Sequence, residues 1–152
     1  MLTEVATKED MKVIVFQLAG KEYVIPVHQV QSIEKIMHIT RVPKTPSYVK
    51  GVLNLRGVVT PIIDLRERFG IETKVADDHS RMIMAKVGEL EVGLIVDAAN
   101  DVLDISPDMI EPQPDVVGSI ENTFIEGVAK IDRRLLVLLN LEQVLHPVKQ
   151  DV

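Results

Sequence analysis

The 152-residue sequence contains no cysteine and no tryptophan, and aromatic residues make up only 3% of it. The missing cysteines exclude disulfides, thiolate metal ligands and thiol nucleophiles, and fit a reducing compartment. Scarce aromatics leave the core to aliphatic side chains. No uninterrupted apolar run approaches the roughly 18 residues of a membrane span. Met1 to Met11, with Glu4, Lys8, Glu9 and Asp10, lacks the apolar centre of a signal peptide. A cytosolic address is the default expectation. Grouped cations are missing too: the net charge is -6 and no basic stripe is visible. That argues against nucleic acid, whose phosphates are gripped mainly by clustered Lys and Arg.

Signatures of chemistry are equally sparse. His28, His38, His79 and His146 are scattered, none at the helical spacing of common zinc or iron sites, so no metal is expected and each reads as a surface or loop residue. There is no Gly-rich phosphate loop and no Gly-x-Ser-x-Gly elbow. Asp64 and Asp97 end apolar runs and could be imagined as paired carboxylates, but Asp64 is explained as a helix cap and Asp97 as a strand-ending turn.

What the sequence does have is aliphatic residues in short runs. Hydrophobic residues reach 46%, and β-branched side chains suit a pleated, buried surface. Val13 to Phe16 and Tyr23 to Ile25 read as a hairpin across Gly20-Lys21. Pro26 breaks the ladder, and Val27, Val30 and Ile33, three apart, suggest a tight helical turn followed by a strand. Gly51 to Ile63 reads as two strands around a polar turn in which Gly57 takes a positive φ, with Pro61 at an edge or bulge. Asp64 caps a short helix that has Glu67 three residues on and Gly70 as its stop. Met82 to Ala85 and Val92 to Val96 form another hairpin across Gly88-Glu89. Ser106-Pro107-Asp108-Met109 has an N-cap and a proline at the first helical position. Pro112-Gln113-Pro114 reads as a loop, and Leu135 to Leu139 as a buried strand. A last helix, capped by Asn140, is expected to end near Pro147.

The chain also matches itself. At an offset of 76, the distance from 51 to 127, Gly51-Val52 falls on Gly127-Val128 and Ile62-Ile63-Asp64-Leu65 on Leu138-Leu139-Asn140-Leu141. Glu67 falls on Gln143 and Phe69 on Leu145 at the same offset. A weaker match at 69, from 23 to 92, puts Tyr23-Val24-Ile25 on Val92-Gly93-Leu94. A duplicated chain of short strands predicts an all-β fold of two small barrels packed together, which also removes exposed sheet edges.

Two surface features stand out. Four consecutive apolar residues at Val13 to Phe16 require cover on both faces of that strand. The cover is the other barrel or a partner, because a groove lined by Ile14, Val27, Val30 and Ile33 could receive an amphipathic helix. Arg56, in a turn between Leu55 and Gly57, projects a cation able to bond a carboxylate at two points; the alternative is an ordinary solvated turn residue.

The stretch Tyr48-Val49-Lys50-Gly51-Val52-Leu53-Asn54-Leu55-Arg56-Gly57-Val58-Val59-Thr60-Pro61-Ile62-Ile63-Asp64-Leu65-Arg66 resembles the signature of the CheW coupling proteins of bacterial chemotaxis. Val15-Phe16, Glu22-Tyr23, Val42-Pro43, Val92-Gly93, Val96-Asp97, Asp101-Val102-Leu103 and Arg134-Leu135-Leu136 follow in the family's order. The resemblance implies two SH3-like five-stranded β-barrels around a shared core, with a few short helices. It implies no enzymatic activity and no cofactor. The implied partners are the regulatory domain of the histidine kinase CheA and the cytoplasmic tip of chemoreceptors, a helical hairpin, with recruitment to membrane-bound receptor arrays through them. Carried over by position, Asn54, Arg56 and Gly57 resemble the coupling loop, while Val27, Val30, Ile33 and Val102 resemble the receptor-facing groove. Gly51, Gly93 and Gly127 serve backbone geometry. One position departs: Ser32 stands where many members carry a Glu that braces the loop arginine. Glu34, two residues on and about 7 Å along the same face of a strand, could substitute.

The expected organisation is a polar leader over residues 1–11, a single CheW-like domain over 12–147 and a tail over 148–152. Barrel halves fall at roughly 12–70 and 80–147, and exchange of strands between them stays open. A start at Met1 and an end soon after the last helix favour a stand-alone protein. The same domain also occurs inside other chemotaxis signalling proteins, and that reading stays open. So does a double barrel that carries a small molecule.

Overall fold

The computed structural model describes residues 10–112 and 124–150, with the backbone alone for Asn100 and for 146–150. The remainder of the leader, Gln113-Pro114 of the expected loop, and residues 151–152 lie outside the described residues. Among the described residues, eleven strands build two sheets. β1 (Met11–Leu18) and β2 (Lys21–Pro26) form a hairpin, and a 3-10 turn over Val27–Gln29 leads into β3 (Val30–Lys35). β4 (Val49–Leu55) and β5 (Val58–Asp64) form the next hairpin, followed by helix α1 (Leu65–Arg68). β6 (Arg81–Val87), β7 (Leu90–Val96) and β8 (Ala98–Ile105) precede a second 3-10 turn, Pro107–Met109. β9 (Ile110–Glu111), β10 (Ile125–Ile131), β11 (Arg134–Leu139) and helix α2 (Leu141–Gln150) complete the fold.

Local chemistry accounts for these elements. The β1–β2 turn places Ala19 and Gly20 at φ 54 and 80, and the β4–β5 turn places Arg56 and Gly57 at φ 54 and 83. Two successive positive values twist a two-residue turn to match its flanking strands. Asp64 caps α1 by accepting from the Arg66 N–H, and Ser106 caps the second 3-10 turn by accepting from the Asp108 N–H.

The internal repeat is structural. β1, β2, β3, β4, β5 and α1 correspond in order to β6, β7, β8, β10, β11 and α2. One sheet runs β8-β1-β2-β11-β10-β9 and the other β3-β6-β7-β5-β4, the same order under that correspondence. The two-residue β9 pairs with β10 at Val128, and its counterpart is the isolated bridge between Thr40 and Val52. Neither sheet follows the halves expected at 12–70 and 80–147. Each takes its first hairpin from one copy and its remaining strands from the other. The joints are parallel pairings, Glu22 to Val24 of β2 against Leu136 to Leu138 of β11, and Ile62 to Asp64 of β5 against Gly93 to Ile95 of β7. Parallel neighbours cannot be joined by a tight turn, so their partners come from afar in the chain.

Burial explains the apolar run in β1. Val13 and Val15 join Val24, Ile105, Ala129, Leu136 and Leu138 inside one barrel. Ile14 and Phe16 face the shared core with Tyr23, Ile63, Ile83, Leu94 and Val137. Leu53, Ile62, Met82 and Met84 fill the other barrel. Both interiors are therefore occupied by side chains. Each fully buried aliphatic side chain contributes roughly 1.5–3 kcal/mol, so the two faces of β1 tie one barrel to the other.

Four expectations need correction. Met11, placed in the leader, already pairs with Ile105. Pro61 sits in β5, an inner strand, at neither an edge nor a bulge. It faces Val52, whose N–H and C=O both bond Thr40 instead, and parallel pairing with β7 starts only at Ile62, so no ladder partner is left without its N–H. Helix α2 continues through Pro147 to Gln150, because a proline late in a helix removes only one N–H rung, the one owed to the Gln143 carbonyl. In β11, Leu135 is half exposed although the rest of the apolar run is buried.

Candidate partner-binding site

The site builds on β3, an edge strand of its sheet. A bulge between Val30 and Ser32 places Val30 opposite Ala85 and Ile33 opposite Ile83. Ala85 and Ile83 belong to the shared core, so Val30 and Ile33 lie on one face although three residues separate them. Ser32 and Glu34 take the other face, opposite Met84 and Met82 of the barrel interior.

The first face carries Val30 and Ile33. Val27 and Val30 pack partly buried against the shared core. Ile14 is buried in that core and forms a floor rather than a contact surface, and Val102 lies directly across from it on β8. Val102 is 53% exposed and Ile33 38% exposed, so both present apolar surface on the edge strands β8 and β3.

On the second face Glu34 reaches the β4–β5 turn. Its Oε2 lies 3.6 Å from Nη2 of Arg56, whose side chain is 71% exposed. So open a pair contributes little to stability, about 0–1 kcal/mol, and acts mainly to aim the guanidinium. Asn54 and Gly57 are exposed beside it. The counterpart turn between β10 and β11 has the same backbone, with Asp132 and Arg133 at φ 49 and 69, but the position of Arg56 carries the opposite charge. Only the side chains distinguish the two turns.

The remaining candidates are structural. Asp97 accepts from Arg66 and from the Ala19 N–H, which holds its carboxyl below the usual carboxylate range, the Arg66 hydrogen bonds being the main cause. Burial pushes the Asp64 carboxyl up, against the hydrogen bonds from the Arg66 and Glu67 backbone. His28, His38 and His79 are exposed, and His146 belongs to α2. Among the described residues no group of His, Cys, Asp or Glu could hold a metal ion. No described helix is long and apolar enough to cross a membrane.

A family described as CheW-like domain matches residues 12–149. The chain belongs to the CheW-like family. Its relatives include the chemotaxis protein CheW of Bacillus subtilis, 45% identical over 145 residues that cover 95% of this chain and 92% of that one. CheW of Klebsiella aerogenes is 35% identical over 132 residues, covering 87% of this chain and 80% of that one. The crystal structure of the scaffolding protein TtCheW from Thermoanaerobacter tengcongensis superimposes with a TM-score of 0.80 at 37% identity, covering 86% of this chain and 88% of that one. The CheW-like membership agrees with the two interlocked barrels built above. It also fits a protein whose two acidic candidates are both engaged in holding the fold.

Proposed function

We propose that this chain is a non-catalytic chemotaxis adaptor that couples the regulatory domain of the histidine kinase CheA to the cytoplasmic tips of chemoreceptors. The observation that carries this reading is the two-faced use of β3. One face carries Val30 and Ile33, with Val27 and Val30 packed partly buried against the shared core, and the other meets Arg56 through Glu34. The groove suits a helical hairpin, whose apolar stripe can be read by a row of aliphatic side chains. Arg56, Asn54 and Gly57 supply a projecting cation for a carboxylate on the partner side. Recruitment to receptor arrays at the membrane follows from those partners.

The test is a pull-down with purified CheA and a receptor cytoplasmic fragment, separately and together, beside a kinase assay. Binding to both is expected, and binding to neither would overturn the reading. Arg56→Asp should weaken receptor control of the kinase while leaving the melting temperature nearly unchanged, since an exposed turn charge contributes little to stability. Intact receptor control in that variant would remove Arg56 from the site.

A further inference from the structure

The two copies differ at one place where duplication should have made them alike. Tyr23 and Phe69 of the first copy and Phe124 of the second form a chain of rings, with centroids 5.7 and 5.1 Å apart. Their counterparts at offsets of 69, 76 and 76 are Val92, Leu145 and Tyr48. Two rings have become aliphatic, and the guanidinium carbon of Arg68 lies 4.7 Å from the Tyr48 ring centre and 4.3 Å from that of Phe124. Val92 and Leu145 are among the walls of an apolar cleft of about 240 Å³, with Val52 and Pro61 of the β4–β5 hairpin beside them.

This cleft shares Val42, Lys44, Thr45, Pro46 and Val49 with an adjoining polar cleft of about 460 Å³. Arg41 and Lys44 line the polar one, and among the described residues neither makes an ion pair. Lys50 lies there too but is paired with Glu67. Lys44 is held at φ 63, in the left-handed region that its Cβ disfavours. In a chain of net charge -6, no Asp or Glu occurs from Lys35 to Ile63, while Lys35, Arg41, Lys44, Lys50 and Arg56 all fall there. That local imbalance was legible in the sequence, although no basic stripe was.

We propose that the paired clefts are a docking site for an acidic segment of a partner protein, with one large apolar side chain seated in the apolar cleft against Val42, Val52 and Pro61 and carboxylates set against Arg41 and Lys44. An apolar anchor in a pocket with a charged rim is the arrangement by which short segments bind specifically. The proposal does not depend on the β3 groove or on the Arg56 turn, and it would stand if both were reassigned.

The test uses fluorescein-labelled synthetic peptides and anisotropy on the full chain. The probe is Glu-Asp-Glu-Phe-Asp-Glu, with a peptide carrying Ala for Phe and one carrying Lys for every acid as controls. Binding of the probe alone is expected, weakening as salt rises. Leu145→Phe restores the ring found at Phe69 and should reduce binding at least tenfold with an undiminished melting temperature. Should that variant fold poorly, Val42→Asp on the exposed shared wall should reduce binding comparably, and Lys44→Glu should remove most of the salt dependence. Equal binding of the basic peptide, binding that survives Leu145→Phe or Val42→Asp, or no binding of the probe would overturn the proposal. Sedimentation showing a dimer that Leu145→Phe dissolves would assign the cleft to a second copy and overturn it equally.

Discussion

The guanidinium of Arg66 grips Asp97 at two points, Nε 3.0 Å from Oδ1 and Nη2 2.7 Å from Oδ2, while the Ala19 N–H donates to Oδ2 at 2.9 Å. Helix α1, the end of β7 and the β1–β2 turn thereby meet at one carboxylate. Both side chains are less than one fifth exposed, so removing the charge leaves a largely buried cation short of its partner. Asp97→Asn should destabilise the protein by about 1–3 kcal/mol in urea unfolding. Folding lowers the pKa of Asp97 below its unfolded value of about 3.9. Its contribution is therefore complete above that value and is lost as pH falls through the folded pKa. The variant should lack that part of the acid limb, and identical acid limbs would refute the assignment.

Asp64 behaves in the opposite sense, because burial raises its pKa. Its charge therefore opposes folding as pH rises through the unfolded value, while its oxygen still caps α1. Asn140 performs the same task in the second copy without a charge, accepting from the Gln143 N–H at 3.2 Å. Asp64→Asn should accordingly stay within about 0.5 kcal/mol of the parent at pH 7, whereas Asp64→Ala should lose about 1 kcal/mol. Equal losses in thermal melts would show that the charge, not the cap, matters.

These caps, the hairpins and the duplication were readable because their determinants lie within a few residues of one another. Asp64 and Asn140 announce their helices locally, and Gly57 announces its turn. The exchange of hairpins between sheets was not readable, since the β5–β7 and β2–β11 pairings depend on parallel partners far away in sequence. Val30 and Ile33 were expected to line one groove, but the bulge that achieves it was not readable: a regular strand would separate them, and only the irregularity before Ser32, set by pairing with β6, puts them on one face. The Arg56–Glu34 pair was anticipated from the family resemblance, which puts a bracing carboxylate at Ser32, with the two-residue spacing along β3 nominating Glu34 in its place. The cleft beside Lys44 was missed because its walls, from Val42 to Leu145, come together only in the fold.

Two glycines of the signature stretch should respond differently to an added methyl group. A Cβ on Gly51 would stand 2.1 Å from the Thr40 carbonyl oxygen, which is backbone and cannot step aside. Gly57 has nothing within 4 Å, and its strain comes only from φ 83. Gly51→Ala should cost more than about 3 kcal/mol, and Gly57→Ala about 1–2 kcal/mol. The comparison requires only two melting curves, and a reversed order would show that the crossing of Thr40 over β4 is not tight.

Ser32 offers a stabilising change. Its hydroxyl oxygen is buried on the barrel-facing side of β3 and has no hydrogen-bond partner among the described residues, while Met84 stands across from it. An unpaired buried hydroxyl costs about 1–3 kcal/mol relative to water, and part of that is recovered when an apolar group replaces it. Ser32→Ala should therefore raise stability by about 0.5–1 kcal/mol in urea unfolding without disturbing Glu34, two residues on along the same face. A loss of stability would mean that the hydroxyl has a partner in solution.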